Sequence, residues 1–195
     1  PIYVYHAPVI SSVVLLPLII QAVIEGGRRS LTAVSIAAHQ DPLTGLLNRR
    51  GVQLALNSLL FGQRAPRIVA VVLVDVDRLK EINDTLGHEA GDEAIKAVAQ
   101  VLTTTARASD ITARVGGDEF MIVALHDRAE EAVAFIERVS TLRAGIGPHG
   151  ATVSVGSAWR STGDAGFDFE SLRRTADDML YRVKRARDSN LSAAS

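Results

Sequence analysis

Apolar residues along this chain occur both in a short continuous run and at helical spacing, which predicts a mixture of strands and helices. Residues 68–74 (IVAVVLV) form a β-branched run that ends at Asp75, the pattern of a central strand covered on both faces. Residues 151–159 alternate like a half-buried strand. Apolar positions three or four apart predict helices at 52–59, 79–86, 92–105, 132–139 and 172–183. In the last two, the apolar faces are expected to include Val133 and Met179.

Two further strands are predicted at 111–115 and 120–125, on either side of Gly116 and Gly117. A pair of glycines can supply the positive φ that tight hairpin turns require. We therefore expect a hairpin closed by this diglycine. The chain has 195 residues, 47% of them hydrophobic, which is enough to bury one ordinary core. A Pro-containing turn places the start of that domain near Asp41.

Charge and cysteine content limit the partners and the metal ligands that this chain can have. The formal net charge of -1 gives no reason to expect a nucleic-acid polymer as partner, because such binding relies on a concentrated basic surface. The absence of cysteine excludes disulfides and thiolate metal sites. Any metal would therefore be held by carboxylates, carbonyls or imidazoles.

The first residues differ in composition from the rest of the chain. Residues 7–24 are predominantly apolar and precede Arg28 and Arg29, and a helix of roughly 20 such residues can cross a membrane, with arginines favouring the cytoplasmic side. We predict a transmembrane helix within 1–27, the end of an upstream membrane region. A buried helix or a signal-peptide core is the alternative, because Pro8 and Pro17 weaken the membrane interpretation.

Residues 28–40 are predicted to form a connector helix. Leu31, Val34 and Ala38 are spaced like the seam of a short two-helix coil. The alternative is a helix that lies on its own domain.

Acidic residues follow the predicted central strand and the predicted hairpin turn. Asp75 and Asp77 stand at the strand end, and Asp118 and Glu119 directly follow the diglycine. If the hairpin pairs beside the strand, Asp75 and Asp118 come together, and a divalent cation would relieve their repulsion. Mg²⁺ suits oxygen ligands and substrate phosphates, and two such ions can activate a hydroxyl and stabilise pyrophosphate. The alternative is that these residues are solvated turn charges.

Four segments together make the chain resemble the GGDEF family of diguanylate cyclases. The similarity covers about residues 41–190, and its segments are the pentapeptide GGDEF (116–120), DPLTGLLNRR (41–50), DVDRLKEINDTLGHEAGD (75–92) and ADDMLYRVK (176–184). The resemblance implies an α+β, palm-like fold with a ferredoxin-like core of the nucleotidyl-cyclase type. An antiparallel-centred sheet with surrounding helices would follow the apolar and connector helices, with the catalytic domain at 41–190 and a tail at 191–195.

The resemblance also implies an activity: condensation of two GTP into cyclic di-GMP and two pyrophosphates, at the interface of a symmetric homodimer. Mg²⁺, with Mn²⁺ as an alternative, would be held by Asp75, the Val76 carbonyl and Asp118. Asp118 or Glu119 would promote deprotonation of the attacking 3′-hydroxyl. The protein would be attached to a bacterial cell membrane through its N-terminal helix, with the catalytic domain on the cytoplasmic side.

Substrate-binding residues also carry over from the family. Lys80 matches the phosphate-contacting lysine, and Lys184 is expected to be a further substrate-binding residue. Asn83 and Asp92 match the pair that reads guanine, with the carboxylate accepting from the ring N–H and amino group. Without the resemblance, Asp92 would be interpreted as a helix N-cap and Asn83 as a polar residue near a helix end.

Arg107 and Asp110 match the RxxD motif, at which the product cyclic di-GMP inhibits members of the family. An arginine can bind phosphate or stack on guanine. The alternative is a charged loop after a helix.

The chain departs from the family pattern at two positions. Leu79 replaces a usual phenylalanine, and Asp188 stands where a phosphate-contacting arginine is expected, with Arg187 as a candidate replacement. The competing function is a catalytically inactive module that binds GTP or cyclic di-GMP and transmits a signal by contact.

Overall fold

The computed structural model describes residues 38–61, 65–142 and 145–193, together with Leu18, Gln21 and Glu25. The predicted transmembrane helix and nearly all of the predicted connector helix lie outside the described residues. Among those that are described, no helix has the length and apolar character needed to span a bilayer. The chain divides into two units, and the fold below is that of the unit from His39 to Ser195.

The described residues of this unit form five helices and four strands. In chain order the elements are α1 (Arg49–Phe61), β1 (Ile68–Val76), α2 (Leu79–Leu86), α3 (His88–Thr105), β2 (Ile111–Arg114), β3 (Glu119–His126), α4 (Ala129–Ser140), β4 (Val153–Ser161) and α5 (Phe169–Ala193).

The four strands form one antiparallel sheet in the order β2-β3-β1-β4. The strand β1 is buried along almost its whole length, which confirms the prediction of a central strand. Side chains alternate between the two faces of a strand. Ala70, Val72 and Val74 face a core completed by α3 and α4, whereas Val69 and Val71 face a second core completed by α1 and α5. This palm-like α+β architecture is the predicted fold.

The prediction for the diglycine turn was wrong in its mechanism. The hairpin exists, but neither Gly116 nor Gly117 has a positive φ. Val115 N–H donates to the Glu119 carbonyl at 2.9 Å, so three residues lie between the paired positions, and this wider turn forms here without a positive φ. A Cβ on Gly116 would lie 2.7 Å from the Glu119 carboxylate, so a side chain there would displace the end of the Glu119 side chain.

Helix α3 begins at His88, four residues before its predicted start. Gly87, with φ 91°, separates it from α2. Asp92 therefore lies inside the helix, and its interpretation as an N-cap was wrong.

The predicted faces of two helices need correction. In α5 the buried residues facing the sheet are Leu172, Ala176 and Leu180, whereas Met179 is exposed. Similarly, α4 buries Phe135 and leaves Val133 exposed. In α5 the cause is close packing against β4, since a Cβ on Gly156 would overlap the backbone of Ala176 and Leu180.

His126, at the end of β3, is 2% exposed, and neither ring nitrogen has a hydrogen-bond partner within the described part of the chain. Its ring centroid lies 5.4 Å from that of Phe135. Burial lowers the pKa of His126, and the charge of Arg107 lowers it further, against the opposing charges of Asp110 and Glu131. His126 is therefore buried as the neutral imidazole.

This burial predicts a loss of stability in mild acid. Since the folded pKa of His126 lies below its unfolded value of about 6.5, the unfolded chain binds more protons as the pH falls through 6.5 towards the folded pKa, and stability declines there. His126→Leu should make the free energy of unfolding less dependent on pH between 7.5 and 5.5, by at most about 1.4 kcal/mol per pH unit. Urea unfolding at both pH values measures this difference. Equal slopes for the variant and wild type would contradict the assignment.

Candidate active site

Three acidic residues, Asp75, Asp118 and Glu119, lie near one another where β1 ends. Asp75 stands directly opposite Glu119 in the β1–β3 pairing, and Val76 N–H donates to the Asp118 carbonyl at 3.0 Å. Burial raises the pKa of Asp75; the hydrogen bond and charge of Lys184 lower it, and Asp118 and Glu119 raise it further, with the net shift upward. This end of the sheet is therefore a strongly negative environment that favours a cation.

Lys184, from α5, supplies a cation to this environment. Its Nζ lies 2.6 Å from Asp75 Oδ2, and the Asp75 side chain is only 5% exposed. The sequence predicted Lys184 as a substrate-binding residue, which stays a prediction; in the structure its ammonium group pairs with a predicted metal ligand.

Asp77 is a second buried carboxylate at the same strand end. It accepts hydrogen bonds from Thr152 Oγ1 at 2.9 Å and Ser154 Oγ at 2.7 Å, and it forms an ion pair with Arg187. Asp77 thus connects β1, β4 and α5. The contribution of Thr152 and Ser154 was missed from the sequence, although polar residues within a buried strand were the available signal.

Arg187 lies at the same strand end, where its guanidinium group is bound by acidic and hydroxyl side chains. Its Nη1 also lies 3.3 Å from Ser154 Oγ, while Nε and Nη2 donate to Asp188 Oδ1 at 3.3 and 3.1 Å. Burial would lower the pKa of Arg187, but the hydrogen bonds and charges of Asp77 and Asp188 raise it. The guanidinium therefore stays charged and is held by two carboxylates.

The two residues predicted to read guanine lie on two consecutive helices, Asn83 on α2 and Asp92 on α3. Gly91 packs directly against the Asn83 carboxamide, since a methyl group there would overlap the amide oxygen. Asp92 is the next residue and is exposed. Lys80 is exposed on α2, nearly one turn before Asn83. Gly91 was not singled out in the sequence because the need for it arises only from the packing of two helices.

The RxxD residues form a closed turn before β2. Arg107 N–H donates to Asp110 Oδ2 at 2.8 Å, and Asp110 N–H donates to the Arg107 carbonyl at 3.0 Å. Arg107 is exposed. The loop precedes Ile111, whereas the turn with Asp118 follows Arg114, so β2 separates the two sites.

Arg114, the last residue of β2, connects the hairpin turn that carries Asp118 to Asp41. This side chain donates to Asp41 at 3.1 and 3.2 Å and to the Gly117 carbonyl at 2.6 Å through Nη2. Although burial would raise the pKa of Asp41, hydrogen bonds from Thr44 and Arg114 bring it below its usual value. The start of the domain is thereby connected to the hairpin turn.

The donor set at the strand end suits a hard divalent cation. The carboxylates of Asp75 and Asp118 and the Val76 carbonyl are oxygen donors of the kind that Mg²⁺ prefers, and the pKa of Asp75 is raised first by burial and further by the charges of Asp118 and Glu119. Within residues 38–61, 65–142 and 145–193, no three acidic or histidine side chains are already arranged around one metal position. These residues provide the oxygen donors that a divalent cation needs, but the Lys184 ammonium group pairs with one of them, Asp75.

Comparison with known proteins agrees with the fold and the motifs. The family model described as "Diguanylate cyclase, GGDEF domain" matches residues 38–190. The chain therefore belongs to the GGDEF domain family, as its motifs predicted.

Among curated proteins, the chain is 37% identical over 153 residues to diguanylate cyclase DosC of Escherichia coli K12, covering 74% of this chain and 33% of DosC. It is 37% identical over 155 residues to diguanylate cyclase DgcM of the same strain, covering 76% of this chain and 36% of DgcM. The chain thus spans about a third of the length of these relatives.

Among solved structures, it resembles the coiled coil and GGDEF domain of DgcB from Caulobacter crescentus in complex with cyclic di-GMP. The identity is 29% and the TM-score 0.72, with 90% of this chain and 95% of that chain covered. A microbial GGDEF domain in complex with cyclic di-GMP is 36% identical, with a TM-score of 0.61, covering 76% of this chain and 94% of that chain.

The Arg114 contacts predict that Arg114→Lys destabilises the fold although it keeps the charge. An ammonium group cannot reproduce a fork that bonds a carboxylate and a carbonyl together, so we expect a loss of about 1–3 kcal/mol in urea unfolding. Arg128→Lys is the matched control, because Arg128 pairs with Glu131 at an exposed position and should change stability by less than about 0.5 kcal/mol. Equal effects of the two substitutions would contradict this role of Arg114.

Proposed function

We propose that this chain is a diguanylate cyclase, which condenses two GTP molecules into cyclic di-GMP with release of two pyrophosphates. The observation that carries the proposal is the pairing of Asp75 with Glu119 beside Asp118 at the end of the sheet, in a member of the GGDEF family. The names of the curated relatives support the same activity.

Asp75, Asp118 and the Val76 carbonyl would hold Mg²⁺, or Mn²⁺ in its place. When bound, the cation offsets phosphate charge and polarises the reacting phosphoryl group. Asp118 or Glu119 accepts the proton of the 3′-hydroxyl, whose oxygen attacks the α-phosphate of the second GTP and displaces pyrophosphate.

Recognition of GTP is assigned to α2, α3 and α5. The Asp92 carboxylate accepts from the guanine ring N–H and amino group, and Asn83 contacts the same base edge. Adenine presents a different donor pattern. The close packing of Gly91 on Asn83 brings α3 against α2 next to Asp92, and Lys80 and Lys184 supply positive charge for the triphosphate.

The product requires two copies of the domain. A two-fold cyclic dinucleotide needs each 3′-hydroxyl to attack the nucleotide held by the other copy, so the active species is a symmetric homodimer. In this proposal residues 28–40 form the helix through which packing of the two copies is controlled, and residues 1–27 cross a bacterial cell membrane, with the catalytic domain on the cytoplasmic side.

The activity is tested by incubating the purified protein with GTP and Mg²⁺ and separating the products by chromatography. We expect cyclic di-GMP, and we expect Asp118→Asn to reduce its rate of formation by about 100-fold or more. Asp178→Asn is the matched control, because it removes the same charge from an exposed position of α5. Binding of GTP without turnover by the wild-type protein would instead identify an inactive signalling module.

Product inhibition is proposed at the RxxD loop, where the exposed Arg107 would contact phosphate or guanine of cyclic di-GMP and Asp110 would pair with the guanine edge. Because the Asp110 carboxylate also bonds the Arg107 N–H, replacing it would disturb the loop itself, and Arg107→Ala is the cleaner change. We expect the half-inhibitory concentration of cyclic di-GMP to rise at least about tenfold. Arg128→Ala should keep wild-type sensitivity, and equal sensitivity of both variants would contradict the assignment.

A further inference from the structure

Two cations of α5, three residues apart, pair with two aspartates at the end of β1. Lys184 contacts Asp75, and Arg187 contacts Asp77. The two pairs differ in their surroundings. Asp77 also accepts hydrogen bonds from two hydroxyls of the β4 segment, whereas within the described residues Lys184 is the only side chain that hydrogen-bonds to Asp75.

We propose that Lys184 is an exchangeable counter-ion of Asp75: it neutralises this carboxylate in the metal-free protein and gives up its place when a divalent cation binds. The released ammonium then becomes available to the triphosphate. The Arg187–Asp77 pair stays formed throughout and keeps α5 in place. This inference deepens the proposed function and rests on the assignment of Asp75 as a metal ligand.

The electrostatics of Asp75 favour such an exchange. Its side chain is 5% exposed, and leaving a buried carboxylate without a compensating charge is strongly destabilising. Asp118 and Glu119 add negative charge nearby, so this strand end needs a cation in every state of the protein. A divalent ion and an ammonium group on one carboxylate would repel each other strongly, and one must therefore leave.

Lys184 is the group that can leave. Its side chain is 34% exposed, and lysine carries a compact charge on a flexible stem. Arg187, one turn further along α5, bonds Asp77, Ser154 and Asp188 together and would lose several bonds by moving. Backbone movement of α5 is not required.

The test is a titration of the purified protein with Mg²⁺ in the absence of nucleotide, followed by thermal unfolding and by calorimetry. Lys184→Met removes the ammonium and keeps the length of the stem. We expect it to melt at a lower temperature than wild type without metal, to regain much of that loss when Mg²⁺ is added, and to reach half-saturation at an Mg²⁺ concentration about tenfold lower.

Arg187→Met is the matched control from the same helix. It should lower the melting temperature by a similar amount with and without Mg²⁺, and it should leave the half-saturating concentration unchanged. Asp75→Asn should abolish the Mg²⁺-dependent shift, which assigns that shift to this site.

The outcomes separate the two proposals. If Asp75→Asn abolishes binding but Lys184→Met and wild type are half-saturated at the same Mg²⁺ concentration, the exchange is overturned and the metal assignment stands. If wild type and Lys184→Met both show no Mg²⁺-dependent shift and no binding heat, the assignment of Asp75 as a metal ligand fails, and the exchange fails with it.

Discussion

The register between β1 and β3 is the constraint on which the site depends. It places Asp75 opposite Glu119 and brings the Asp118 carbonyl to the Val76 N–H. A slip of one residue would turn each of these side chains to the other face of the sheet. Because β1 is buried on both faces, the same slip would move each of its apolar side chains from the core in which it packs to the opposite core. The packing of both cores therefore opposes a change of register.

The same strand end concentrates negative charge, and the rest of the fold compensates it. Helix α5 brings Lys184 and Arg187 to Asp75 and Asp77, while β4 donates hydroxyl hydrogen bonds. On the other side, Arg114 connects the hairpin turn to the first residues of the domain. Asp75 and Asp77 can therefore remain buried because α5 and the β4 segment compensate their charge.

The sequence predicted the central strand, the hairpin and the chemistry-bearing motifs, because these depend on local patterns. It did not predict the start of α3 or the exposure of Met179, since both depend on how helices pack on the sheet. The diglycine was assigned a positive φ, but its turn contains three residues and neither glycine has a positive φ. The partners of Asp77 were also missed, because Thr152 and Ser154 lie 75 and 77 residues away along the chain and no local spacing reveals such a contact.

Gly156 connects the packing of α5 with the candidate active site, although it lies away from that site. Because α5 lies against this glycine, the packing at Gly156 sets the position of the charged second half of α5 relative to the end of β1. A larger residue at position 156 would push α5 away from β4 and move Lys184 and Arg187 together, although it would contact no carboxylate. Substitutions at Gly156 would therefore disturb the candidate active site through helix packing, without changing any side chain of that site.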